Sequence, residues 1–266
     1  METEKQDWYL EYEIHKNRPG LLGDVASILG MLAINIVTIN GVESLNGTIN
    51  RRRGMLIQTD DAKKIELLGS ILEKVDNITL RKLRQPTILD LLAVRHGRYI
   101  ERDAEDKKTF RFVREEIGVL VDFMAEIFKR EGNQLIGIRG MPRVGKTEST
   151  VAACVSANKR WTFISSTLLR QTVRNQLTVE EMNGKQHVYL IDGIVSTMRS
   201  TERHAMLMRE ILRMPYTKVI EHPDIFVRET EYDIADFDYV IELRNHPDEE
   251  ITYENVETGF SGFDIP

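Results

Sequence analysis

Hydrophobic positions along this chain change their period several times, and each change predicts an element. Trp8 to Ile14 alternates apolar and polar residues and predicts a strand. After the turn residues Asn17-Arg18-Pro19-Gly20, the positions Leu21, Leu22, Val25, Ile28, Leu29 and Leu32 recur at helical spacing. Ile34 to Ile39 is β-branched and predicts the next strand. Asn46-Gly47 is a hairpin signal leading to a third strand at Gly54 to Gln58. Asp60 or Asp61 can cap a second helix with Ile65, Leu68, Ile71 and Leu72 on one face, and Ile78 to Leu83 closes the series as a fourth strand. The order is βαββαβ, the split ferredoxin-like unit.

Beyond Gln85-Pro86, where the pattern breaks, the second half follows a different plan. A helix is expected at Ile88 to Val94 and a polar stretch at Arg102 to Lys108. Phe112, Val113, Ile117, Leu120, Val121, Met124, Ile127 and Phe128 then predict one amphipathic helix. Gln134 to Ile138 reads as a short buried strand, and Glu148 to Ser156, rich in Ala and Val, as a helix. Further strands are expected at Trp161 to Ile164, with Ser165, Ser166 and Thr167 at its end, at His187 to Ile191, and at Tyr239 to Leu243, with a helix at Met198 to Arg213. Strands alternating with helices predict an α/β domain with a mainly parallel sheet. The expected divisions are 1–84, a helical linker at 85–131, and 132–266.

Between the strand at Gln134 and the helix at Glu148 lies Gly140-Met141-Pro142-Arg143-Val144-Gly145-Lys146-Thr147, which fits G-x-x-x-x-G-K-[ST]. Glycines let successive backbone N–H groups turn inward onto phosphate oxygens, the lysine reaches the β/γ-phosphates, and the threonine hydroxyl can bind Mg²⁺. Strand, loop and helix is the context this motif needs. A carboxylate on a neighbouring strand is also required, and Asp192 closes the apolar run from His187, bounded by Asn183-Gly184 and Gly193. The loop resembles that of the P-loop NTPase superfamily, and its Pro142-Arg143-Val144 form is similar to loops in some signalling ATPases. That resemblance implies ATP or GTP with Mg²⁺, with Lys146 and Asp192 as the catalytic pair and Thr147 and Asp192 on the metal. Many small-molecule kinases carry glycine where Arg143 stands, and motor ATPases carry glutamate where Gly193 stands. The first departure argues against the kinase branch; the second implies slow hydrolysis, transfer or sensing. Arg199 and Arg203 are candidates for a phosphate-stabilising arginine in cis.

Asn17-Arg18-Pro19-Gly20-Leu21-Leu22 followed by Ile34-Asn35-Ile36 resembles the ACT domain, a small-molecule-sensing module. The resemblance implies an amino-acid-like effector held at Asn17, Pro19, Gly20, Leu21 and Leu22, and a homodimer formed through this domain. Leu92 to Gly97 is similar to the Arg-His-Gly signature of histidine phosphatases, but that fold would need the space the phosphate loop occupies; His96 is expected in a surface turn.

Composition adds bounds. Of the residues, 41% are hydrophobic and 29% charged, as in ordinary globular proteins. The polar start reads as no signal peptide, and a cytoplasmic location is expected. The uncharged run Val25 to Val42 is better read as helix plus strand than as a membrane span. The single Cys154 excludes an internal disulfide and is expected to be a buried packing residue. Residues 219–266 hold 14 acidic and 2 basic side chains, which argues against nucleic acid on that face. The expectation is a regulatory nucleotide-binding protein, with a small-molecule phosphotransferase and a non-catalytic dimeric scaffold as alternatives.

Overall fold

The computed structural model describes residues 5–43, 51–130, 132–164, 187–194 and 202–252. Asn46-Gly47, Ser165 to Thr167, Asn183-Gly184 and Arg199 lie outside the described residues, as does the side chain of Arg203. The chain divides into two compact units, Met1–Ile100 and Glu101–Pro266.

The first unit runs β1 (Gln6–Ile14), α1 (Leu21–Met31), β2 (Asn35–Gly41), β3 (Arg52–Thr59), α2 (Ala62–Leu72), β4 (Ile78–Arg84) and α3 (Ile88–His96). Its four strands form an antiparallel sheet in the order β2-β3-β1-β4. The period of two sorts β1 by face. Leu10, Tyr12 and Ile14, with Met55 and Ile57 of β3, pack beneath Val25, Leu29, Leu68 and Leu72 of α1 and α2. Tyr9 and Glu11 point to the opposite face, which α3 covers. There Asn40 donates to the Val94 carbonyl at 3.0 Å. A Cβ on Gly54 would stand 2.8 Å from Val42 and 3.1 Å from Val94, so the approach of α3 requires a glycine. Thr87 and Asp90 cap α3 reciprocally.

The layer under α3 is polar. Glu11 is fully buried and accepts from the Tyr9 hydroxyl at 2.9 Å, from Lys82 Nζ at 3.0 Å and from the Tyr99 hydroxyl, with Arg52 3.5 Å away. Burial by itself would raise its pKa, but the hydrogen bonds from Tyr99, Lys82 and Tyr9 together hold it below the ordinary carboxylate value.

The second unit runs β5 (Glu101–Arg102), β6 (Thr109–Val113), α4 (Ile117–Phe128), β7 (Gln134–Arg139), α5 (Lys146–Ser156), β8 (Arg160–Ile164), β9 (His187–Asp192), α6 (Glu202–Arg213), β10 (Thr217–Glu221), α7 (Pro223–Arg228) and β11 (Tyr239–Arg244). They build one sheet in the order β5-β6-β11-β7-β10-β9-β8. All pairs are parallel except β5 with the edge of β6. The fold class is therefore α/β, with the larger sheet mostly parallel. Central strands are buried on both faces, which explains their near-continuous apolar runs. One face carries Leu135, Ile191, Ile220 and Val240 against Met208, Ile211 and Phe226.

Two expectations change. Residues 85–131 are not a separate helical linker: α3 belongs to the first unit, and β5, β6 and α4 belong to the second. Phe112 and Val113 end β6 rather than begin α4, because Thr109–Val113 pairs in register with β11. Phe110 and Phe112 meet Phe123 at ring-centroid distances of 4.7 and 5.6 Å, so one apolar spacing spans a strand and a helix. The uncharged run from Val25 to Val42 resolves into the end of α1 and β2. No helix among the described residues is long and apolar enough to cross a membrane.

Candidate functional site

β7 enters Gly140 to Gly145 and leaves through α5, so this glycine-containing turn sits between the central strand and a helix N-terminus. Two glycines are required by the space and the backbone. A Cβ on Gly140 would lie 2.5 Å from the Leu243 carbonyl oxygen and 2.8 Å from Val144. Gly145, the N-cap of α5, has φ 111°. Met141 is half-buried, Pro142 exposed and Val144 fully buried, anchoring the loop. Arg143 adopts φ 65° in the left-handed region although it has a side chain, and its carbonyl accepts from Arg114 Nη1 at 2.8 Å.

Lys146 is 6% exposed and folds back on the loop, donating to the Gly140 carbonyl at 2.9 Å and the Met141 carbonyl at 3.0 Å. Thr147 Oγ1 donates at 2.5 Å to Glu221 Oε1. Glu221 ends β10, the strand between β7 and β9, and is in register with Ile138 on one side and Asp192 on the other. Asp192 Oδ1 accepts the Ile194 N–H at 2.9 Å. Lys146, Thr147, Glu221 and Asp192 therefore stand together at the C-terminal ends of adjacent parallel strands, where ligands of open α/β sheets bind.

Burial lowers the Lys146 pKa, with Glu221, Asp192 and Glu148 opposing that shift. Burial likewise raises that of Glu221, opposed by the Thr147 hydrogen bond and Lys146 and reinforced by Asp192. Both charges are weakened by their low-dielectric surroundings, and each partly restores the other. His222, next along, is 8% exposed with φ 57°; burial and the nearby Lys146 push its pKa down to about 4. Among the described residues, no three His, Cys, Asp or Glu side chains are arranged to hold a metal ion by themselves.

Glu221 is the residue that sequence reasoning missed. Its trace in the sequence is weak: in Thr217-Lys218-Val219-Ile220-Glu221 only Val219 and Ile220 lead to the carboxylate, a shorter apolar stretch than the one before Asp192. The structure also accounts for Gly193. A Cβ there would meet the Glu221 carbonyl oxygen at 2.5 Å and that of His222 at 2.9 Å, so no side chain fits. Cys154 is buried in α5, and burial pushes its thiol up to about 12.

In the first unit, Asn17, Arg18, Pro19 and Gly20 are exposed, Gly20 is the left-handed N-cap of α1, and Leu21 is buried. A cavity of 530 Å³ lies nearby, lined by Leu22, Asn40, Glu43, Arg53, His96 and Arg98 among others. Of the expected effector residues only Leu22 reaches it; Asn17, Pro19, Gly20 and Leu21 do not line it. His96 ends α3 and lines this cavity.

Residues 80–263 match the family described as Protein of unknown function (DUF3388), and the chain belongs to that family. It is 61% identical over 98% of its length to the uncharacterized protein YmfK of Bacillus subtilis (strain 168), covering 97% of that protein. Among solved structures, uncharacterized protein TM1266 from Thermotoga maritima is similar to 29% of this chain, over 94% of its own length, at 19% identity and TM-score 0.23. A formyltetrahydrofolate deformylase from Pseudomonas putida KT2440 is similar over 95% of this chain and 64% of its own, at 9% identity and TM-score 0.27.

Proposed function

We propose that the second unit binds ATP or GTP with Mg²⁺ and hydrolyses it slowly, and that the protein is a nucleotide-dependent regulator. The observation that carries this reading is the convergence of Lys146, Thr147, Glu221 and Asp192 around one glycine-rich turn. A lysine, a hydroxyl and two carboxylates at a helix N-terminus are the donor set that a metal–polyphosphate takes. The backbone from Gly140 to Thr147 would cradle the phosphates, and Lys146 would turn from its loop carbonyls to the β/γ-phosphates. Thr147 and Asp192 would hold Mg²⁺, which would neutralise phosphate charge. Glu221, its affinity for protons raised by burial, would orient a water and take its proton. Gly193 leaves no room for a second base, which fits low turnover.

The first unit, on this reading, responds to an amino-acid-like effector. Its cavity offers Arg53 and Arg98 for a carboxylate and Glu43 for an ammonium group. Binding there moves the effector from the turn at Asn17 to the concave surface beyond Leu22, between β2 and the end of α3.

Isothermal titration with ATP and GTP, followed by single-turnover hydrolysis, tests the nucleotide reading. Lys146→Ala should weaken binding by about 2–3 kcal/mol. Glu221→Gln should slow hydrolysis by about 10²-fold or more while binding stays within a few-fold. Equal nucleotide affinity in wild type and Lys146→Ala would overturn it.

A further inference from the structure

The opposite edge of the same sheet, where the strands begin, carries a second concave surface. A cavity of 440 Å³ there is lined by Arg102, Lys107, Lys108, Arg130, Gln134 and Tyr239, with Phe110, Asn133 and Asp238 completing it. That volume lies within the range of small-ligand sites, roughly 300–1,000 Å³.

Its charge is unbalanced. Among the described residues, none of the four cations is ion-paired, and Lys108, Arg130 and Arg102 donate to neutral groups. Lys108 Nζ donates to the carbonyls of Ala235 at 2.7 Å and Phe237 at 3.0 Å, Arg130 to the Tyr239 hydroxyl at 2.9 Å, and Arg102 to the Lys107 carbonyl. Asp238 is the one carboxylate of the lining, and it is occupied by the Leu135 N–H at 2.9 Å. Four cations against one carboxylate leave the lining with a net positive charge, which favours an anion.

Gln134 says more about that anion. Its residue is 8% exposed, and its Oε1 is buried without a hydrogen-bond partner. An orphaned buried acceptor costs roughly 1–3 kcal/mol, so such an atom is usually completed by a ligand or a water. A glutamine amide facing a site can accept from an exocyclic amine and donate to a ring nitrogen, the pairing it makes with adenine. Beside it, the half-buried Tyr239 ring offers a flat wall.

We propose that this cavity binds an adenine nucleotide, with its phosphate on Arg102, Lys107 and Arg130 and its base edge on Gln134. This is a site separate from the loop at Lys146, reached from the other end of β7, and it does not depend on the reading of that loop. Gln134 opens β7 and Gly140 follows its last residue, so one six-residue strand links the two places.

Equilibrium titration of the full chain with AMP tests the proposal, since AMP lacks the β/γ-phosphates that a loop lysine grips. AMP should bind, and Lys146→Ala should leave its affinity unchanged within about two-fold. The double charge reversal Arg102→Glu/Lys107→Glu should weaken it at least ten-fold. Gln134→Leu, which places an apolar residue in an already buried strand and should keep or raise the thermal midpoint, should weaken it by about ten-fold. Ribose 5-phosphate should bind at least ten-fold more weakly than AMP and be insensitive to Gln134→Leu. No AMP binding, AMP affinity lost with Lys146→Ala, equal binding of ribose 5-phosphate, or binding of a single-stranded RNA oligomer in place of AMP would each overturn it.

Discussion

Arg143 and His222 are two non-glycine residues beside the candidate site that take positive φ, at 65° and 57°. The left-handed region costs an L-residue about 1–2 kcal/mol, and here the surrounding bonds impose it. Arg143→Gly should therefore leave stability unchanged or raise it by up to about 1 kcal/mol, against the extra freedom glycine gives the unfolded chain. Urea denaturation measures this; a loss above 1 kcal/mol would mean that the arginine side chain itself holds the loop. His222 makes the pH dependence predictable. Its folded pKa of about 4 lies below the ordinary 6.5. As pH falls through 6.5 the unfolded chain takes up a proton that the folded chain refuses until about 4. The stability His222 contributes is thus fully present above pH 6.5 and lost progressively down to about 4. His222→Asn, which tolerates positive φ, should flatten the fall in the urea midpoint between pH 7 and 4.5. An unchanged slope would assign the acid sensitivity elsewhere. Gly140 to Thr147 and Asp192 stood out in the sequence because the phosphate-binding pattern they fit sets residue types at fixed spacing. Glu221 did not, because a strand ending in a carboxylate becomes informative only when the topology sets it beside Thr147.

At the scale of elements, periodicity located β1 to β4 and their two helices because the sheet face toward α1 and α2 is apolar and the one behind it is largely polar. It failed at residues 109–128, where Phe110 and Phe112 of β6 and Phe123 of α4 share a cluster, so their spacing carries no boundary. It also gave no hint that α3 closes the second face of the first sheet. The cause is physical: that face is a polar layer of Tyr9, Glu11, Lys82 and Tyr99, and polar residues look like solvent in a sequence. A consequence can be measured. A fragment of residues 1–100 should unfold cooperatively with native-like near-ultraviolet dichroism. A fragment of residues 1–84 should be less stable by several kcal/mol, because it uncovers Tyr9 and Gly54 and removes the Tyr99 bond from the buried Glu11. Equal midpoints for the two fragments would show that α3 is an accessory to the first unit, not part of its core.

At the scale of the whole chain, the proposed function requires the two units to influence one another. If an amino acid in the first unit tightens nucleotide binding in the second by some factor, nucleotide must tighten the amino acid by the same factor. Couplings of about 1–3 kcal/mol are typical and would appear as unequal thermal shifts with and without ATP. An amino-acid screen should thus give at least one compound whose shift changes on adding nucleotide, and Arg98→Ala should remove that difference while sparing nucleotide affinity. A screen with no such compound would leave the first unit without a sensing role.

The bonds of Lys146 to the Gly140 and Met141 carbonyls have one more implication. The loop does not offer a bare cation to the solvent; its ammonium is already solvated by the protein, with Glu221 and Asp192 close by. A lone chloride would have to replace two well-placed oxygens with one and approach two carboxylates in doing so. If the turn takes a polyphosphate as proposed, selection there rests on the number and spacing of the anion's oxygens rather than on its charge, and added chloride should be a poor competitor in a nucleotide titration.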